Sequence, residues 1–121
     1  MRTSLVVDDS RVIRKVARRI LEGMGFEVAE ASDGQEALNW CQSTMPDAIL
    51  LDWNMPVLNG LDFVRQLRQQ PGGQGPVVVF CTVENDKEHV VAALDAGANE
   101  YVMKPFDGDV IRAKFAAAGL I

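Results

Sequence analysis

Two adjacent carboxylates, Asp8 and Asp9, close the apolar run Leu5-Val6-Val7. A third, Asp52, closes Ile49-Leu50-Leu51, Thr82 comes shortly after the run from Val77 to Phe80, and Lys104 follows Tyr101-Val102-Met103. Three carboxylates brought together suit a hard divalent cation. Magnesium prefers such oxygen ligands, keeps several waters and is commonly shared with a phosphate. The cation would also offset the repulsion between Asp8 and Asp9. Lys104 adds a fixed positive charge and Thr82 a hydroxyl donor, and metal, ammonium and hydroxyl aimed at one point fit the oxygens of a phosphoryl group in transfer. No serine, cysteine or histidine occupies these positions, so the nucleophile is a carboxylate, which can carry phosphate as an aspartyl-phosphate. Asp52, at the end of the central run, is assigned that role.

Those residues are spread over almost the whole chain, so a fold must bring them together. Five short apolar runs are visible: Leu5 to Val7, Phe26 to Ala31, Ala48 to Leu51, Val77 to Phe80 and Tyr101 to Met103. The first, third and fourth are continuous rather than alternating, as parallel strands covered on both faces require. Between them lie helical patterns. Val12, Ile13, Val16, Ala17, Ile20, Leu21 and Met24 predict one apolar stripe stopped by Gly25. Further helices are predicted around Leu38, around Val64, around Val91 ending near Gly97, and after an Asp107 cap. Strands alternating with helices of this length mean repeated βα units and a parallel sheet. In such a sheet the carboxyl ends of all strands share one edge, where ligands of open α/β folds bind.

Length and composition set the bounds. The chain has 121 residues, the size of one domain, and 48% of them are hydrophobic, enough for a true core. Twelve basic against seventeen acidic side chains give a net charge of −5, which argues against coating nucleic acid as the main role. No apolar stretch is long enough to span a membrane and no secretory signal opens the chain. Cys41 and Cys81 sit in apolar contexts without CxxC spacing, so packed, reduced thiols and a cytoplasmic location are expected.

The segments Val6-Val7-Asp8-Asp9-Ser10, Leu51-Asp52-Trp53-Asn54-Met55-Pro56 with Gly60, Cys81-Thr82, and Tyr101-Val102-Met103-Lys104-Pro105-Phe106 resemble the response-regulator receiver domains, with CheY-like chains the nearest in kind. The resemblance covers residues 1–121 as a single receiver. It implies an α/β, doubly wound (βα)5 fold with a five-stranded parallel sheet of order 2-1-3-4-5, as in flavodoxin and CheY. It also implies that Asp52 takes a phosphoryl group from a histidine kinase, a phosphotransfer protein or a small phosphodonor. Asp9, Asp52 and the backbone carbonyl of Asn54 would hold Mg²⁺, with Asp8 assisting through water and Mn²⁺ able to substitute. Lys104 would contact the phosphate ahead of a cis bond to Pro105. Thr82 would shift onto the phosphoryl oxygen and Tyr101 swing inward, reshaping the surface of the fourth helix, fifth strand and fifth helix for a protein target. Asn54 and Glu84 would tune phosphate loss. The implied protein is a stand-alone, monomeric switch rather than an enzyme, without a DNA-binding domain or membrane span.

Two features depart from the family pattern. Cys81 precedes Thr82 where a small or aliphatic residue is common, and the last helix is short before Gly119, which bears on the output surface and not on the site. The basic run Arg11, Arg14, Lys15, Arg18 and Arg19 reads either as the solvated face of an amphipathic helix or as a kinase-docking face, since receivers use the first helix for that contact. His89 is expected to be a solvated surface histidine, Trp53 a reporter of metal binding, and Asp33, Asp47, Asp62 and Asp95 caps and surface charge. Two rival functions remain. A haloacid-dehalogenase-like phosphatase would also use an aspartyl-phosphate, but it needs a second aspartate where this chain has Asn54, and a capping insertion. A constitutive binding module with a decayed site would not be expected to retain all of Asp8, Asp9, Asp52, Thr82 and Lys104.

Overall fold

The computed structural model describes residues 2–53, 55–82 and 87–121. Along the chain run β1 (Thr3–Val7), α1 (Arg11–Gly23), β2 (Glu27–Ala31), α2 (Gly34–Ser43), β3 (Ala48–Asp52), α3 (Gly60–Gln69), β4 (Val77–Thr82), α4 (Lys87–Ala96), β5 (Glu100–Met103) and α5 (Gly108–Ala117). All five strands are parallel in the order β2-β1-β3-β4-β5, the expected doubly wound topology.

The central strands carry continuous apolar runs, Leu5–Val7, Ala48–Leu51 and Val77–Phe80, because helices cover both faces of the sheet. On one side Leu5, Val7, Ile49, Leu51, Val78 and Phe80 pack under α2, α3 and α4. On the other, Val6, Leu50, Val79 and Val102 pack under α1 and α5 through Ala17, Leu21, Ile111 and Phe115. The edge strand β2 is more polar, and its Glu27 and Glu30 suit a position open on one side. Four helices start on side-chain caps: Ser10, Asp33, Asn59 and Asp107 each accept a hydrogen bond from a backbone N–H three residues on. Asp47 is no cap; its carboxylate accepts from the Thr3 N–H at 2.8 Å and fixes the start of β1.

Two expectations need correction. The apolar stripe predicted for α1 is too wide. Ala17 and Leu21 are buried, but Val12 is 71% exposed and Val16 45% exposed. Each residue turns an α-helix by about 100°, so Val12 and Val16 form a separate row beside the buried one. The strands also run further than the apolar residues suggest. Asp52 pairs with Cys81 and Thr82 with Met103, so both polar residues are the last rungs of their ladders. The Gly/Pro loop from Pro71 to Pro76 joins α3 to β4 as expected. Arg68 secures it, donating to the carbonyls of Gly73, Pro76 and Gly97 and to Asn99 Oδ1. No helix among the described residues is long and apolar enough to cross a membrane.

Candidate functional site

The carboxyl ends of β1, β3, β4 and β5 deliver Asp8, Asp9, Asp52, Thr82 and Lys104 to one edge of the sheet. Carboxylate oxygens of Asp8, Asp9 and Asp52 lie within 4.8 Å of one another. Asp8 and Asp52 are buried, at 3% and 8% exposure, whereas Asp9 faces solvent. The Lys104 ammonium bridges the two buried carboxylates, donating to Asp52 Oδ1 at 2.8 Å and to Asp8 Oδ2 at 2.9 Å. Its backbone N–H donates to the Thr82 carbonyl at 2.7 Å, and its peptide bond to Pro105 is cis, as the receiver resemblance implies. Thr82 is 4% exposed beside them.

One cation cannot neutralise this group. Burial drives the Asp52 carboxyl above its ordinary value; Lys104 opposes this and the neighbouring Asp8 charge adds to it. Burial alone would lower the Lys104 pKa, yet the hydrogen bonds to Asp52 and Asp8 carry it above its ordinary value. Three carboxylates against one ammonium leave an excess of two negative charges. A divalent ion matches that excess, and three hard oxygen donors suit magnesium. Cys81, the ladder partner of Asp52, is fully packed in the core under α1 and α5, and burial pushes its thiol well up, so it is no competing nucleophile.

The surroundings hold Asp8 from several directions. The Ser10 N–H donates to Asp8 Oδ1 at 2.8 Å, the Asp8 N–H donates to Ala31 O at 3.1 Å, and Arg14 Nη1 donates to the Asp8 carbonyl at 2.7 Å. On the far side of Asp52, Gly60 opens α3 so close to β3 that an added Cβ would run into the Asp52 carbonyl. Trp53 packs edge-on against Phe80 with centroids 5.2 Å apart. His89 stacks on Trp53 at 4.0 Å, so it is half-buried on the α4 side of the site and not the solvated histidine expected. Isolated sequence context could not show this, because the stack joins residues 36 positions apart.

Other predicted residues fall elsewhere. Tyr101 lies half-buried on β5, and Lys114 of α5 stands over its ring at 4.6 Å while pairing with Glu100 at 3.1 Å. Arg14, Lys15 and Arg18 converge on Glu30 of β2, at 3.2, 2.8 and 2.8 Å, while Arg11 is exposed. Asn54 and Glu84 lie outside the described residues. The positions the sequence reading missed are Glu30, Gly60 as a steric requirement, and Arg14 as a ligand of the Asp8 carbonyl. The only sequence signal for them is a second glutamate, Glu30, inside the half-apolar strand β2.

The model of the response regulator receiver domain matches residues 4–116. The chain belongs to that family, and so to the proteins of two-component signalling. It is 44% identical over 113 residues to response regulator MprA of Mycolicibacterium vanbaalenii, which covers 93% of the chain and 48% of MprA. It is 38% identical over 112 residues to chemotaxis protein CheY1 of Helicobacter pylori, covering 91% of the chain and 90% of CheY1. The chain thus spans about half the length of MprA and nearly all of CheY1. The solved structure of chemotaxis protein CheY4 of Vibrio cholerae superposes with a TM-score of 0.89 at 32% identity, over 100% of the chain and 99% of CheY4.

Proposed function

We propose that residues 1–121 act as one receiver domain, a switch that accepts a phosphoryl group on Asp52 in a Mg²⁺-dependent reaction. The observation that carries this is the convergence of Asp8, Asp9 and Asp52 around Lys104 at one sheet edge. Asp9 and Asp52 would hold the metal with the Asn54 carbonyl, Asp8 assisting through water. Bound there, magnesium would supply charge that draws the phosphoryl oxygens in and offsets their build-up of negative charge.

In the reaction, a carboxylate oxygen of Asp52 attacks phosphorus. The bond from phosphorus to the donor breaks, and its electron pair leaves on the donor. With phosphohistidine the departing imidazole nitrogen takes a proton from solvent; with acetyl phosphate the leaving group is acetate. Lys104 keeps Asp52 ionised and in place beforehand and then follows the new phosphoryl oxygens. Thr82 donates its hydroxyl to them, and Tyr101 moves inward as it does so. Glu84 and Asn54 tune the hydrolysis that resets the switch. Turnover of substrate is no part of this cycle, which makes the protein a switch rather than an enzyme.

The phosphodonor is a histidine kinase or phosphotransfer protein. Exposed Val12 and Val16, flanked by Arg11, Lys15 and Arg19, support docking of an amphipathic acidic partner on α1. All three of Arg14, Lys15 and Arg18 pair with Glu30, but Lys15 keeps half its side chain exposed, whereas the more enclosed Arg14 and Arg18 have less charge to offer. Exposed Val91, Leu94, Met103 and Val110 support a protein target on the α4-β5-α5 face. A monomer working in the cytoplasm fits this role. The test is ¹⁹F NMR with beryllofluoride, a phosphoryl mimic. A bound resonance that requires MgCl₂ and vanishes in Asp52→Asn is expected; binding indifferent to both would overturn the proposal.

A further inference from the structure

The exposed member of the acidic cluster is the one whose geometry is least obviously fixed. Asp8 is held through both carboxylate oxygens, by the Ser10 N–H and by Lys104. Asp52 is a strand residue gripped by Lys104. The Asp9 carboxylate makes no hydrogen bond or ion pair among the described residues, so its direction depends on the backbone beneath it. The peptide that joins Asp8 to Asp9 carries the Asp8 carbonyl, and that carbonyl accepts from Arg14 Nη1 at 2.7 Å. The guanidinium is itself aimed by Glu30, whose Oε1 accepts from Arg14 Nε at 3.2 Å. Both side chains are largely enclosed, at 16% and 14% exposure.

Fold geometry makes this grip possible. Glu30 pairs with Val6 across the β1–β2 ladder. Cross-strand partners share a face of the sheet, and Val6 faces the α1 side. Glu30 therefore points at α1, where Arg14 sits just over one turn past the Ser10 cap. Burial pushes the Glu30 carboxyl up, but hydrogen bonds from Lys15, Arg18 and Arg14 outweigh it and hold it at about 2, so it stays ionised at any working pH.

We propose that Arg14, aimed by Glu30, is a positioning residue for divalent-cation binding, fixing the Asp8–Asp9 peptide so that Asp9 is presented to the ion. The inference rests on the metal reading of the acidic cluster and names two residues beyond the ligands themselves. Outer partners of this kind typically govern metal affinity by roughly 10- to 100-fold.

A change of sign separates this role from simple charge. Coulomb's law alone says that removing a cation near the site tightens Mg²⁺ binding. Loss of positioning weakens it. The experiment titrates MgCl₂ at fixed ionic strength against Trp53 emission in a Trp40→Phe background, comparing the parent with Arg14→Met and Arg14→Lys. Circular dichroism at the titration temperature verifies that each is folded. Both variants should bind Mg²⁺ roughly tenfold more weakly or worse, because lysine keeps the charge but cannot fork between a carbonyl and a carboxylate. Should Arg14→Met fail to fold, Arg14→Lys decides alone. Unchanged or tighter binding in Arg14→Met, or parental affinity in Arg14→Lys, would overturn the proposal. A parent that binds no Mg²⁺, or binds it equally well as Asp9→Asn, would instead sink the metal reading and this inference with it.

Discussion

Replacing Lys104 by methionine removes the one cation that, among the described residues, bridges the two buried carboxylates, while keeping most of the side-chain volume. Asp8 and Asp52 would then face each other at 3% and 8% exposure with no cation between them among the described residues. Breaking a buried pair by deleting one partner costs about 3–5 kcal/mol. Protonation sets a ceiling on that loss. The folded protein can take one proton onto Asp52 instead of enduring the repulsion. From an ordinary value of 3.8, this costs about 4 kcal/mol at pH 7, at about 1.4 kcal/mol per pH unit. A loss of about 3–4 kcal/mol at pH 7 is therefore expected, shrinking to less than about 2 kcal/mol at pH 5.

The signs follow from the two shifts. Asp52 already titrates above 3.8 in the fold, so stability present below that value is lost as pH rises through the folded one. Without Lys104 that value climbs further and the loss deepens toward neutrality. Lys104 titrates above its ordinary 10.5, so its contribution in the wild type persists to that pH and fades beyond it. The gap between the proteins should open between pH 4 and 7, hold, and close above pH 10.5. Urea unfolding in the presence of a chelator measures it. With a slope of about 1–3 kcal/mol per molar for small proteins, the midpoint at pH 7 should fall by about 1–4 M. Added MgCl₂ should restore more stability to the variant than to the wild type. A loss that is independent of pH, or no loss at all, would refute the reasoning.

Three further outcomes are expected. Val57 holds φ at +70°, a conformation that is strained for a β-branched side chain, and it is 79% exposed; Val57→Asn should stabilise the protein by about 0.5–1 kcal/mol, read as a raised urea midpoint. Gly60→Ala forces a methyl group into the Asp52 carbonyl and against the Trp53 backbone, neither of which can yield cheaply; it should cost about 1–3 kcal/mol and slow phosphorylation of Asp52 as β3 shifts. Lys114→Met removes the cation over Tyr101, worth about 0.5–1 kcal/mol. Because Tyr101 is the only tyrosine, a fluorotyrosine label gives one ¹⁹F resonance, which should move in Lys114→Met without phosphorylation.

Much of this architecture could be read from the chain because parallel strands covered on both faces leave continuous apolar runs, as in Ile49-Leu50-Leu51. The polar residues ending those runs then fall on one edge by topology alone. Contacts that depend on tertiary pairing were not legible. Arg14 has the sequence context of any surface arginine, and only the packing of α1 on β1 and β2 turns it onto the Asp8 carbonyl. Glu30 reads as an edge-strand charge until three cations from α1 converge on it. His89 shows nothing in sequence of its stack on Trp53. The apolar stripe of α1 was overestimated because period alone does not distinguish a buried row from an adjacent exposed one, such as Val12 and Val16.

Phosphoryl acceptance by Asp52 is the central claim, and intact mass measures it most directly. The protein is mixed with MgCl₂ and acetyl phosphate beside an Asp52→Asn variant, and a portion is treated with hydroxylamine. A single phosphoryl adduct on the wild type alone, removed by hydroxylamine, is the predicted result. An adduct that survives in Asp52→Asn, or none from either acetyl phosphate or a phosphorylated histidine kinase, would contradict it.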